Sequence, residues 1–374
     1  MADVRVFGAG PSGLMAADVL ATAGHRVTIH DHMAAPARKF LLAGRGGLNL
    51  THSEPLETFL GRYGDARNFL EPAIRAFPPG ALIDWANGLG IETFIGTSGR
   101  VFPVQMKASP LLRAWLRRLQ GLGVSLHSRS PWTGFDGGPA ILALGGASWP
   151  HLGSNAAWVP AFRDKGIEVS PFQPSNSRFM VNWSPVFSAK FAGQPVKNIA
   201  LTYGGTRVRG EVMISKDGIE GGAIYALSRH LRDAPGQPLL IDLRPDLSEE
   251  ALAAKLARPR GKDSLSTFLR KAAGLSPPAI GLLRETATTP DAKGIKSLAL
   301  TLGPPMGLER AISSAGGVAQ GEVDPHFQLI KAPGVYCVGE MLDWEAPTGG
   351  YLLQACFSTA VWVARHLAST LEKR

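Results

Sequence analysis

Hydrophobic and polar positions change period twice within the first thirty-one residues. Val4-Arg5-Val6-Phe7 is an apolar strand, the turn Gly8-Ala9-Gly10-Pro11-Ser12-Gly13 follows, and positions from Leu14 to about Ala23 take helical spacing. Arg26-Val27-Thr28-Ile29-His30 is a second strand, ending at Asp31. A strand–turn–helix–strand unit of this length predicts the start of a parallel α/β sheet.

Further along, Met33 to Thr51 reads as a loop rich in Gly, Arg and Lys. Helical periodicity returns around Glu57–Arg75 and Pro79–Leu89. Gly99–Pro103 predicts a short strand, Pro110–Leu122 a helix, and Val124–His127 and Pro139–Gly146 further strands, the last an apolar run of the kind buried in a parallel sheet. From about Glu168 the pattern shifts to short alternating segments, Ile199–Tyr203, Gly210–Ile214 and Leu239–Leu243, as in an antiparallel β-domain. Ser248-Glu249-Glu250 is placed to cap a helix, and helical segments run to about Ala287, interrupted at Pro259, Pro277 and Pro278. Strand-like sequence resumes near Ala311. The chain closes with Gly334–Glu340 and an apolar helix from about Gly350 to Leu371, which returns it to the sheet where it began.

The first turn carries chemistry. Gly8 permits the tight exit from the strand, Gly10 lets backbone approach a pyrophosphate, and Gly13 lets the helix pack close to the strand. The helix N-terminus offers free N–H groups and the positive end of its dipole to phosphates. Asp31, 23 residues beyond Gly8, is placed to accept hydrogen bonds from ribose hydroxyls and disfavours a 2′-phosphate. Strand, turn, helix, strand and acid agree on a dinucleotide site. A second signature, Val338-Gly339-Glu340, Asp343 and Thr348-Gly349-Gly350-Tyr351, repeats this logic near the other end of the sequence. In FAD enzymes such a segment brings a backbone N–H to the second phosphate or ribitol and points a helix N-terminus at the flavin N1–C2=O. Non-covalent FAD is therefore expected rather than resident NAD. With no second glycine fingerprint, NAD(P)H as donor must bind transiently, and direct reaction with oxygen is the other route.

Composition narrows the class. With 374 residues, 45% hydrophobic and 18% charged, the chain is expected to fold as two or three domains. No apolar run reaches the roughly 18 residues of a membrane span, and the first strand begins at Val4, so a cytoplasmic location is expected. The two cysteines, Cys337 and Cys356, form no C-x-x-C pair, which excludes disulfide-reductase chemistry and a zinc knuckle. Both read as small buried hydrophobes. The net charge of +9 is concentrated. Six basic residues and no acid lie between Ser98 and Pro131, and nine basic residues against three acids between Lys255 and Lys296. Such stretches suit a polyanion or simply a solvated basic face.

In these motifs the chain resembles the BaiN/YhiN-like family of FAD-dependent oxidoreductases, some called aminoacetone oxidase-like. The resemblance rests on Gly8–Gly13, Asp31, Arg38-Lys39 through Asn49, Gly99–Pro103 with Lys107-Ala108-Ser109, Gly145–Pro150 with Gly153-Ser154, Gly316-Gly317-Val318, and Gly339-Glu340 to Gln354. It implies a Rossmann-like FAD-binding domain (1–165 and 312–374), an inserted β-barrel-like domain (166–247 and 295–311) and a small helical domain (248–294). Two positions depart from the family pattern: Gly44-Arg45-Gly46-Gly47-Leu48-Asn49 replaces a Gly-Gly-Gly-Arg-Cys-Asn-like string, and Leu352 stands where an asparagine is usual. Related activities imply reduction of a carbon–carbon double bond, amine oxidation, or dihydrouridine formation in ribosomal RNA. A flavin-binding factor without turnover is the remaining class. Partners are a small molecule or ribosomal RNA; the oligomeric state is left open.

The expected cofactor-binding residues are Gly8, Ala9, Gly10, Pro11, Ser12, Gly13, Asp31, His32, Lys39, Gly44, Arg45, Gly46, Gly47, Asn49, Gly145, Gly146, Gly339, Glu340, Asp343, Thr348, Gly349, Gly350, Tyr351 and Leu352. Arg45 and Lys39 are the catalytic candidates, as cations for a reduced flavin or a substrate anion; a phosphate or backbone clamp is the other reading. Asn49 is placed to donate to a flavin carbonyl or to shape its loop. Glu340 and Asp343 bind ribitol or form the turn. Trp149, Trp344 and Tyr351 wall the flavin pocket or belong to the core. No histidine shows metal-ligand spacing, and only His52 and His151 lie near the cofactor motifs.

Overall fold

The computed structural model describes residues 2–43 and 46–372. The chain forms two compact units, 1–173 with 312–374, and 174–311.

In the first unit a five-stranded parallel sheet runs in the order Val335–Cys337, Ala140–Leu142, Asp3–Phe7 (β1), Arg26–Asp31 (β2), Ser125–Ser128. β1 is the central strand, with Val4 and Val6 fully buried, as expected when helices cover both faces of a parallel sheet. The chain leaves β1 toward β2 on one side and returns to Ala140–Leu142 on the other. The C-terminal end of β1 is therefore a topological switch point, where open α/β sheets leave a crevice.

The first helix, α1 (Pro11–Thr22), is apolar on most of its circumference and packs against the closing helix, Tyr351–Glu372. Its approach to β1 requires glycine. A Cβ at Gly13 would lie 1.8 Å from the Gly8 carbonyl oxygen, and one at Gly8, where φ is +102°, 2.2 Å from the Ala143 carbonyl. Near the middle of α1, Asp18 is buried and accepts hydrogen bonds from Trp115 Nε1 (3.0 Å), Trp85 Nε1 (3.3 Å) and Arg118 Nε (2.8 Å). One carboxylate thus ties α1 to the helices Pro79–Gly88 and Ala108–Gly121.

Two expectations are revised here. The Met33–Thr51 segment is not all loop, since Arg38–Ala43 forms a short helix. The periodic region Glu57–Arg75 is two helices, Leu56–Gly61 and Arg67–Ala76, because Gly64 takes a positive φ of 52° between them.

The second unit holds a six-stranded antiparallel sheet in the order Leu298–Leu300, Leu239–Asp242, Pro195–Tyr203, Thr206–Ser215, Gly218–Glu220, Phe179–Met180. Four helices follow in sequence, Glu249–Leu256, Leu265–Ala273, Pro277–Glu285 and Ala292–Lys296. Each is opened by a side-chain cap: Ser248, Ser264, Ser276 and Asp291 accept the N–H groups of Ala251, Thr267, Ala279 and Gly294. Sheet residues Ile199, Leu201 and Ile241 share one apolar cluster with helix residues Leu252, Leu269, Leu282 and Ile295. Sheet and helices therefore stabilise each other through a common core. No helix among the described residues is long and apolar enough to cross a membrane.

Removing the Asp18 carboxylate leaves two indole N–H groups without an acceptor. Asp18→Ala is expected to destabilise the first unit by roughly 1–3 kcal/mol, the cost of unsatisfied buried donors. A lower urea midpoint checks this; an unchanged midpoint would show that the three donors find other partners.

Candidate functional site

A cleft opens at the switch point, floored by the C-terminal ends of β1 and the Ala140–Leu142 strand. Of the residues expected from sequence, Gly8, Gly10, Pro11, Ser12, Asp31, His32, Lys39, Gly145 and Glu340 line it. Ala9, Gly13, Gly146 and Gly339 do not line it, but each is the chain neighbour of one that does. Gly46, Gly47, Asn49, Asp343, Thr348, Gly349, Gly350, Tyr351 and Leu352 do not line it. Gly44 and Arg45 lie outside the described residues.

The cleft is built to leave the end of α1 free. Gly10 is the N-cap, and neither a side-chain cap nor an acid in the first turn occupies the helix terminus. A Cβ built at Gly10 meets no protein atom within 4 Å, so the missing side chain is not demanded by packing. Unfilled amides and open space together suit an anion. Asp31 is 9% exposed, its Oδ2 accepting the Ala9 N–H (2.6 Å) and its Oδ1 that of Met33 (2.7 Å). It holds the glycine turn in place and still faces the cleft, with lone pairs left for a hydroxyl donor.

The two chain ends meet at this point. Gly339, with φ +76°, approaches so closely that a Cβ there would lie 2.3 Å from Ser12 Oγ on α1. Its N–H donates to Thr359 Oγ1 (3.1 Å), and its carbonyl accepts from Trp344 Nε1 (2.8 Å). Lys39 Nζ lies 2.7 Å from Glu340 Oε2 and also donates to Ser148 Oγ, while Glu340 Oε1 accepts the Ser314 N–H. Lys39 is thus neutralised by a partner 301 residues away. The positive field at the cleft comes from the α1 terminus and from Arg38, which lines it without an ion pair among the described residues.

The Thr348–Leu352 segment makes a different neighbourhood. A Cβ at Gly350 would lie 2.5 Å from the Thr51 backbone. Tyr351 stacks on His52 at 5.5 Å and donates to Glu54 Oε1 (2.7 Å), whose carboxylate also binds Arg62. Burial works to raise the Glu54 carboxyl, but hydrogen bonds from Arg62 and Tyr351 outweigh it and hold it below the usual range. Trp344 and Tyr351 belong to the core rather than to the cleft wall. Trp149 is half-buried in a left-handed conformation (φ +59°), and His151 is exposed.

Several lining residues escaped sequence reasoning. Ser154 Oγ is buried without a hydrogen-bond partner among the described residues, as is Asn49 Oδ1 beside the glycine loop. Ser154 follows Gly153, the third glycine of the 145–154 segment, a signal that was available. Cys356 is half-buried and lines the cleft, contrary to the expectation of a fully buried hydrophobe. Free amides, an open glycine, a ribose-accepting acid and an orphaned hydroxyl fit a flavin dinucleotide. The described residues include no group of three or more potential metal ligands.

Fold and family together define a flavin-dependent oxidoreductase of the Rossmann type. The HI0933-like protein Rossmann domain model matches residues 2–366, and the chain belongs to that family. It is 25% identical over 408 aligned positions to a 3-dehydro-bile acid delta(4,6)-reductase of Clostridium scindens, and 26% identical over 401 to a ribosomal RNA dihydrouridine synthase of Escherichia coli. Each alignment covers 98% of both chains. Among solved structures, a 3-ketosteroid delta1-dehydrogenase from Sterolibacterium denitrificans shares the fold, with a TM-score of 0.51 at 12% identity over 98% of this chain and 99% of that one.

Burial and then the Glu340 carboxylate push the Cys356 thiol up to about 12. At pH 8 only about one molecule in ten thousand carries the thiolate. Cys356 is therefore expected to resist iodoacetamide at pH 8 despite lining the cleft, with labelling by mass spectrometry rising only at strongly alkaline pH. Rapid labelling at pH 7 would contradict this environment.

Proposed function

We propose that the chain binds FAD non-covalently in the switch-point cleft and acts in the cytoplasm as a reductase, with NAD(P)H as donor and an unsaturated small molecule as acceptor. The observation that carries this reading is the uncapped N-terminus of α1 facing the cleft, with Gly10 open toward it. In this reading the α1 amides and Gly10 hold the pyrophosphate, Asp31 the adenosine ribose, and the Gly339-Glu340 segment the ribityl end, supported by Ser12 and Ser154. Gly46, Gly47 and Asn49 supply the loop beside the isoalloxazine. When bound, FAD supplies a centre at N5 that exchanges a hydride with donor and acceptor. Lys39 holds Glu340 in place through their ion pair, a positioning role rather than a catalytic one. The relatives' names support reduction, one being a reductase and another a dihydrouridine synthase. Two free cysteines suit a reducing compartment.

One observation favours ribosomal RNA as the acceptor. Arg258, Arg260 and Lys262 stand exposed on the connection between Glu249–Leu256 and Leu265–Ala273, and no ion pair engages them among the described residues. Neutralising all three is expected to lower the salt-dependence slope of ribosomal RNA binding by roughly 2–3. Binding insensitive to salt, or to this substitution, removes RNA from the proposal.

The deciding experiment is a visible spectrum of the purified protein, followed by anaerobic titration with NADH and NADPH. A flavin spectrum bleached by one nicotinamide is the expected result. Gly10→Val should yield folded protein without flavin, because the valine occupies the open space at the α1 terminus. Colourless wild-type protein that takes up no FAD would overturn the reading. A flavin that no donor reduces would instead mark a binding factor without turnover, and reduction by an amine with oxygen as acceptor an oxidase.

A further inference from the structure

A second cavity lies wholly within the 174–311 unit, and no residue of a cofactor motif lines it. Its volume is about 340 Å³, within the range of small-molecule sites, and it is framed by the helices Pro185–Phe191, Leu265–Ala273 and Pro277–Glu285.

Its floor is apolar. Phe187, Phe191 and Ile280 are each less than a tenth exposed. The floor depends on Gly281, where a Cβ would lie 2.5 Å from the Phe191 ring, so glycine is what lets that ring tuck under the third helix. At the lip, Val186 is 78% exposed, an expensive position for a valine with nothing to cover it.

The rim is cationic. Lys190, Arg270 and Arg284 line the cavity, and none of the three forms an ion pair among the described residues. Lys190 Nζ lies over the Phe191 ring at 5.3 Å from its centroid. Arg284 Nη2 donates to Ser266 Oγ (2.6 Å), which orients the guanidinium across the cavity from one helix to the next. The one acid present, Glu285, is already engaged: its two oxygens accept the N–H and the hydroxyl of Ser184. The rim thus keeps an uncompensated positive charge above a hydrophobic floor.

We infer that this cavity binds a small amphipathic anion, a ligand with a carboxylate or similar head on an apolar body. The cations on the three framing helices take the head, with the Ser266 and Thr267 hydroxyls beside them, while the apolar body covers Phe187, Phe191, Ile280 and Val186. The anion is selected by charge complementarity and the body by burial, so neither a hydrophilic anion nor an uncharged amphiphile satisfies both.

Calorimetry on the full-length protein tests this, with dodecanoate as probe and dodecyl maltoside as its uncharged counterpart, both below their micellar concentrations. Saturable one-to-one binding of dodecanoate is expected, weakening with salt and undetectable for the maltoside. Arg270→Glu combined with Arg284→Glu should weaken it about tenfold or more, as loss of charge-assisted contacts requires. Val186→Asp, on a side chain too exposed to matter for folding, should also weaken it. FAD content in both variants is expected to match wild type, which separates this site from the switch-point cleft. Equal affinity for dodecyl maltoside, or dodecanoate binding unchanged by the double charge reversal, would overturn the inference.

Discussion

The close approach of α1 to β1 governs the first unit. It is possible only because residue 13 lacks a side chain, since a methyl group there would strike the Gly8 carbonyl, while residue 8 must be bare for the turn to pass the Ala143 carbonyl. Hydrophobic packing alone does not specify where a helix begins relative to a strand, whereas this contact does so to a fraction of a turn. Asp18 secures the other half of the same helix. A buried carboxylate held by two indoles and a guanidinium is costly to disturb, and it opposes sliding of α1 along the sheet.

With α1 fixed, the chemistry of the cleft follows from what is absent as much as from what is present. No side chain caps the helix, no acid competes in its first turn, and the nearest ammonium is already paired with Glu340. Backbone amides, which carry no net charge and do not titrate, are left facing the cleft beside the side chains of Asp31, His32, Arg38 and Glu340 that line it.

The first thirty-one residues were readable because their constraints are local. Glycines at 8 and 13, a period-two strand and a helix of twelve residues each leave a mark on neighbouring positions. The pairing of Lys39 with Glu340 left none, since nothing within several residues of Lys39 indicates a partner 301 positions later. Asp18 was hidden for another reason: a lone acid in a helix normally marks the solvent face, and only tertiary structure brings Trp85, Trp115 and Arg118 around it. Tyr351 was drawn to the cofactor by its glycine neighbours, yet its ring packs with His52 and Phe59, because Gly350 is there to admit the Thr51 backbone. In the second unit three of the six strands and the Ser248 cap were visible, but the short strands 179–180, 218–220 and 298–300 and the shared apolar cluster depend on contacts no periodicity reports.

The meeting of Gly339 with Ser12 has a consequence for biosynthesis. A ribosome delivers α1 first and the Gly339-Glu340 turn more than three hundred residues later, so the contact between Ser12 and Gly339 waits on a stretch of chain that α1 itself does not encode.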